Sequence, residues 1–146
     1  MDSCSLCDVA AGRTTANVVY EDETTLAFTD IRFESPAHIA VIPKGHVGSL
    51  AETNETTRTH VFAIAMRMIR AIRKSSLGCN EVSIVYMDNG ESDHGRSHAL
   101  IQLMPRFDYD PTQSFANWML PPPQEKWSLV AQMIRDADAV HEGRDT

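Results

Sequence analysis

Strand-like runs follow one another through the first part of this chain before any helical pattern begins, and that order constrains its fold most strongly. Residues 17–20 and 25–29 are short and rich in β-branched and aromatic side chains, with the polar Glu21, Asp22 and Glu23 between them as a hairpin turn. Residues 30–36 read as irregular, and 38–42 form a third strand stopped by Pro43. From about 54 to 74 the period changes. Val61, Ala65, Met68, Ile69 and Ile72 make one helical stripe, with Arg67, Arg70, Arg73 and Lys74 mostly off it and Gly78 as the stop. Residues 81–87 give a fourth strand, 88–97 a polar glycine-containing loop, and 98–106 a fifth strand. Three prolines, 121–123, precede a last helix over about 124–140, striped by Trp127, Val130, Ile134 and Ala137. Strands that mostly succeed one another, with one long helix between them, indicate an α+β fold with an antiparallel sheet of about five strands. A doubly wound parallel sheet would alternate strand and helix throughout.

The length, 146 residues, suits a single domain spanning 1–146, and neither a repeat nor a linker interrupts it. The formal net charge of −7 argues against a nucleic-acid backbone or an anionic membrane as partner. It leaves room for a small anionic ligand, because a helix end or a backbone nest binds phosphate locally. The first residues carry no basic and apolar leader, and no run is long enough to span a membrane, so a cytoplasmic location is expected.

Two of the three cysteines form Cys4-x-x-Cys7. Three readings are open: a redox pair, two incidental cysteines, or half of a metal site. A redox pair belongs at a strand-to-helix turn, and no strand precedes Cys4. A metal site needs two further ligands. His46, taken alone, fits a solvated loop histidine, and His98, taken alone, fits a satisfied core histidine. Cys79, between the helix and the fourth strand, reads as a small packing residue.

Alternation along the fifth strand puts His98, Leu100, Gln102 and Met104 on one face, ahead of Pro105-Arg106. This strand resembles the signature of the histidine triad (HIT) family of nucleotide hydrolases and transferases, His-φ-His-φ-His-φ-φ with φ apolar, often followed by Pro-Arg. The resemblance continues through residues 19–23, 26–31, 36–44 and Asn89-Gly90, and covers roughly residues 4–106. It implies a HIT-like fold, with residues 1–12 as a zinc-bound N-terminal segment and 107–146 as a C-terminal tail and helix. Many bacterial members resemble this chain in an N-terminal Cys-x-x-Cys, a Pro-Lys-x-His loop and the first triad histidine around one zinc. The resemblance therefore assigns Cys4, Cys7, His46 and His98 to a structural zinc site, with His46 carried by Pro43-Lys44-Gly45-His46.

By the same resemblance, Asp30 accepts hydrogen bonds from ribose hydroxyls, Phe28 and Ile31 sandwich a base or other flat group, and Asn89 belongs to the ligand site. For Phe28 and Ile31 a plain core role is an equally good reading. The family's Gly-Gln-(Ser/Thr) phosphate loop corresponds here to Gly95-Arg96-Ser97, shorter by about two residues, where Arg96 would offer a cation and Ser97 a hydroxyl. Gln102, in the third triad position, can still donate to a phosphoryl oxygen.

Leu100 is the decisive departure. It occupies the middle triad position, where the family's imidazole attacks phosphorus, and leucine has no lone pair with which to do so. Removing a nucleophile costs on the order of 10⁶ in turnover in a well-studied protease. His38, His94 and Gln102 remain as candidate acid–base or hydrogen-bonding groups, with His94 equally at home as a solvated loop residue. Three functions follow. The first is a zinc-containing protein that binds a nucleotide or related small molecule without nucleotidyl-histidine catalysis. The second is a repurposed enzyme using His38, His94 or Gln102. Ordinary HIT hydrolase or transferase activity, the third, requires Leu100 to be an engineered substitution. The resemblance further implies a two-fold homodimer.

Overall fold

Asp22 closes the first hairpin. In a computed structural model of the chain, which describes residues 4–29, 38–75, 77, 79–88, 98–107 and 124–144, its Oδ1 accepts from the amides of Thr24 and Thr25 at 2.9 and 2.8 Å. This side-chain turn joins β1 (Asn17–Glu21) to β2 (Thr25–Thr29). The strands β3 (Ile39–Pro43), β4 (Cys79–Met87) and β5 (Leu100–Phe107) complete one sheet in the order β1-β2-β3-β5-β4, every neighbour antiparallel. The helices are α1 (Ser5–Ala10), α2 (Glu55–Lys74) and α3 (Gln124–Arg144). The expected α+β architecture, a five-stranded antiparallel sheet with one long and one C-terminal helix, is the one observed.

Because side chains alternate along each strand, the sheet has two distinct faces. One buries Ala27, Ile39, Val41, Ile101 and Leu103 against Val61, Ala65, Met68 and Ile72 of α2. The opposite face carries Leu26, Phe28, Ala40, Ile42 and Leu100, and receives Cys4 and Leu6 of the N-terminal segment. On the helical side α3 adds Val130, Ala131 and Ile134 to the core. It is fastened by a two-pronged pair from Arg67 Nε and Nη2 to Asp138 Oδ1 and Oδ2, at 2.7 and 2.9 Å. The same guanidinium lies over the Tyr20 ring, 4.8 Å from its centre.

Several boundaries differ from the sequence reading. The helix α2 begins where expected, with Asn54 Oδ1 accepting from the Thr57 amide. It ends at Ser75, whose hydroxyl and amide both bond back to the last turn, ahead of Gly78, which lies outside the described residues. β4 starts two residues early, across an irregularity between Cys79 and Glu81. α3 continues to Arg144. The short helix α1 carried no sequence signal, being six residues long and capped by a cysteine.

Candidate metal centre and the sheet face beside it

Cys4 stands immediately before α1, and its Sγ accepts from the Cys7 amide at 3.2 Å. That cap folds the Cys-x-x-Cys back on itself, so both sulfurs face one point. His46 arrives on the loop after β3 and His98 on the approach to β5; the Ala99 amide bonds the Val47 carbonyl at 2.6 Å and fixes the two segments together. The results are close pairs: Cys4 Sγ to His98 Nδ1 3.4 Å, Cys7 Sγ to His46 Nδ1 3.1 Å, and Cys7 Sγ to His98 Nδ1 3.4 Å. The four candidate ligand atoms lie within 4.8 Å of one another, so these residues could hold a metal ion.

The tautomer of His98 follows from its other nitrogen. Nε2 lies 2.7 Å from the Pro43 carbonyl, which can only accept, so Nε2 carries the hydrogen and the Nδ1 lone pair points at the sulfurs. Burial holds the His98 pKa below its usual range, opposed by the Pro43 carbonyl and reinforced by His46. The neutral, ligating form is therefore favoured. Burial also pushes the Cys7 thiol up to about 11, with the neighbouring Cys4 sulfur adding to the rise. A dication between the sulfurs reverses that direction, because a coordinating thiol is deprotonated.

The strand register builds the adjoining surface. Val18 pairs with Phe28, Phe28 with Ala40, Ala40 with Gln102, and Gln102 with Val85, giving one row across the face that carries Cys4 and Leu6. Leu100 belongs to the next row. It is 8% exposed and packs in the same cluster as Leu26, Ile42, Cys4 and Leu6. The Gln102 side chain, in the row of Ala40, is buried, and so is the side chain of His38, which immediately precedes β3.

The structure thus brings together the four residues that the sequence suggested as metal ligands, and places Phe28, Leu100 and Gln102 on one face of the sheet, with His38 buried just before β3. Asp30, Ile31, Asn89, His94, Arg96 and Ser97 lie outside the described residues. Two polar arrangements went unseen in the sequence. One is the Pro43 carbonyl that orients His98. The other is Asp22 Oδ2, which binds His60 Nε2 at 2.6 Å and the Tyr20 hydroxyl at 2.8 Å. Burial alone would raise the Asp22 pKa, but the contacts from His60, the Thr24 amide, Tyr20 and the Thr25 amide hold it well below the carboxylate range. Only the turn role of Asp22 was visible locally; His60 lies 38 residues away. Among the described residues, no helix is long and apolar enough to cross a membrane.

A profile of the HIT domain matches residues 11–94. The chain is 33% identical over 110 residues to a curated protein of Bacillus subtilis named protein hit, covering 73% of this chain and 72% of that one. Over 107 residues it is 28% identical to an uncharacterized HIT-like protein of Methanocaldococcus jannaschii, covering 73% and 81% of the two chains. Among solved structures, a zinc-bound histidine triad family protein from Mycobacterium smegmatis superposes with a TM-score of 0.80 at 27% identity, covering 97% of each chain.

Proposed function

The chain belongs to the HIT family, and from that premise we propose that it is a zinc-containing member that binds a nucleotide or related small molecule without nucleotidyl-histidine catalysis. The observation that carries this reading is Leu100. It fills the middle triad position and packs with Leu26, Ile42 and the N-terminal segment, so an apolar side chain stands where the family reaction needs a nucleophile. Phe28 and Gln102 are the ligand contacts proposed on the described face, with Asp30, Ile31, Asn89, Arg96 and Ser97 as the further contacts. We take residues 1–146 as one HIT-like domain, with 1–12 as the metal-bound segment and 107–146 as its C-terminal tail and helix.

Zinc is the proposed ion. Two sulfurs at about 2.3 Å and two imidazole nitrogens at about 2.05 Å in a tetrahedron set sulfur–nitrogen separations of roughly 3.5 Å. The three close pairs lie at 3.1–3.4 Å, which suits that arrangement. With four protein ligands the site is closed, so zinc would serve structure: it would tie the N-terminal segment to the starts of two distant segments and take no part in a reaction. The zinc-bound relative at 27% identity supports the choice of metal.

A second reading, a repurposed enzyme, draws on the buried polar side chains of His38 and Gln102, with His94 as a further candidate. The proposed partner is a second copy of this chain. Phe62 and Met66 on α2 and Ile84 on the edge strand β4 are exposed apolar side chains, and Phe62 stacks edge-on to Tyr86 of β4 at 6.3 Å. Thermal shift against nucleosides, mononucleotides and dinucleotides tests the binding reading. A saturable rise in Tm with at least one of them is expected, and no shift with any would overturn it.

A further inference from the structure

We propose that Cys4 and Cys7 are an oxidation site: a peroxide joins them in one disulfide, and that bond releases the N-terminal segment from the sheet face it covers. The loss of metal that accompanies this step rests on the zinc reading above; the disulfide and the release do not.

The two cysteines already stand as a disulfide requires. Cys4 caps α1 and Cys7 lies in its first turn. Three residues of helix separate two Cα atoms by roughly 5 Å, inside the range of about 4.4–6.8 Å that a disulfide spans. The sulfurs lie within 4.8 Å of each other, and both stand 3.4 Å from His98 Nδ1. Rotation of the two side chains closes the remaining gap. Cys7 is half-buried and Cys4 buried, so a small oxidant meets Cys7 first and Cys4 is the resolving partner. The third cysteine, Cys79, pairs with Phe107 at one end of the β4–β5 ladder, and Leu100, in the same cluster as Cys4, lies at the other. Seven residues of strand, about 23 Å, divide those ends, which is far beyond disulfide reach.

The step balances with hydrogen peroxide as the oxidant. The Cys7 sulfur, as thiolate, attacks one peroxide oxygen; the O–O bond breaks, and the departing hydroxide takes up a proton and leaves as water. The Cys4 sulfur, also as thiolate, then attacks Cys7 Sγ. The S–O bond breaks, the S–S bond forms, and a second hydroxide takes up a proton and leaves as water. Each sulfur gives up one electron, and one peroxide is reduced to two waters.

The consequence follows from what the sulfurs hold. Within the segment, the Asp8 amide bonds the Cys4 carbonyl and Arg13 bonds Asp8, contacts that shape its own turn. Ties that cross to the loops beside the sheet run from Cys4 to His98 and from Cys7 to His46 and His98. A disulfide draws both sulfurs toward each other, away from the imidazoles, and removes the thiolate charge that a metal needs. The set of four candidate ligands then shrinks to His46 and His98. Leu6 and its neighbours are left to hold the segment by apolar packing alone, and the face beneath them carries Leu26, Phe28, Ile42 and Leu100.

The test treats the full-length protein, as purified, with hydrogen peroxide at pH 7 until thiol loss stops. Peptide mass mapping, zinc release to a chromogenic chelator and amide hydrogen exchange are then read together. A peptide linking Cys4 to Cys7 and lighter by two hydrogens is expected, with about one zinc per chain released in step with it. Exchange over Ser5–Ala10 should quicken at least about tenfold, and Cys79→Ser should give the same results. In Cys7→Ser, which cannot form the bond, peroxide should leave exchange over this segment unchanged; a rise as large as that of the wild type would overturn the assignment. A Cys4–Cys7 disulfide with unchanged exchange overturns the release. Oxidation that stops at a sulfinic acid, or that is confined to Cys79 and the methionines, overturns the site. A protein that carries no zinc before treatment overturns the metal reading alone, because the disulfide and the exchange still decide the inference.

Discussion

Replacing Cys4 by serine separates the proposed metal site from the helix cap beside it. Serine is a good capping residue and its Oγ can accept from the Cys7 amide as the sulfur does, so α1 retains its start. What serine cannot supply is a soft thiolate at about 2.3 Å from zinc. Binding to the folded state alone adds stability that grows with ligand excess, about 4.1 kcal/mol at a thousandfold excess over Kd. If loss of one of four ligands weakens zinc by a thousandfold or more, most of that contribution disappears. For a chain of this length, 1 kcal/mol moves Tm by about 2–4 °C, so a fall of roughly 8–16 °C is expected. The assay pairs metal analysis with calorimetry, with and without a chelator. Wild type should carry about one zinc and lose stability on chelation, whereas Cys4→Ser should start low and be insensitive to chelator. A metal-free wild type, or one whose Tm chelation leaves unchanged, would refute the reasoning.

Three further outcomes follow from contacts elsewhere. Asp138→Ala strands the Arg67 guanidinium and should cost about 3 kcal/mol, read by urea denaturation; a change below about 0.5 kcal/mol, ordinary for a surface substitution, would mean the pair does not fasten α3. Asp22 has a folded pKa below its ordinary value, so its contribution is present above about pH 4 and lost as pH falls through the folded value. The Tm gap between wild type and Asp22→Asn should therefore be widest at pH 6 and shrink steadily below pH 4, and a gap constant down to pH 2.5 would contradict this. Met66→Asp places a charge in the exposed apolar patch of α2, and light scattering should then report a monomer in place of a dimer; a wild type that is monomeric at 100 µM would remove the proposed partner.

The legible parts of this molecule were those whose signal is local or shared with a family. The alternation of residues 98–104 placed Leu100 and Gln102 on one face, and the register put them there. His98 itself stops short of β5, where its ring and its backbone neighbour are claimed by the end of β3 and the loop after it: Nε2 bonds the Pro43 carbonyl, and the Ala99 amide bonds the Val47 carbonyl. Such a departure depends on contacts more than 50 residues apart and leaves no periodic trace. The four candidate metal ligands were assigned by resemblance, and the structure gathers them; their spacing alone permitted other readings. Arg67 looked like a solvated residue off the helical stripe, yet it reaches Asp138 on a helix 71 residues away. Long side chains can cross between elements in this way, and hydropathy patterns do not register it.

The central claim is that the fold and the proposed metal site persist while the family reaction does not. Single turnover of an adenosine 5′-phosphoramidate, with the protein in excess and intact-mass detection of any covalent nucleotidyl adduct, tests this most directly. No adduct and no release of AMP above the uncatalysed rate are predicted, because Leu100 offers phosphorus no lone pair. Formation of an adduct on the protein, followed by release of AMP at rates ordinary for a HIT hydrolase, would contradict the account.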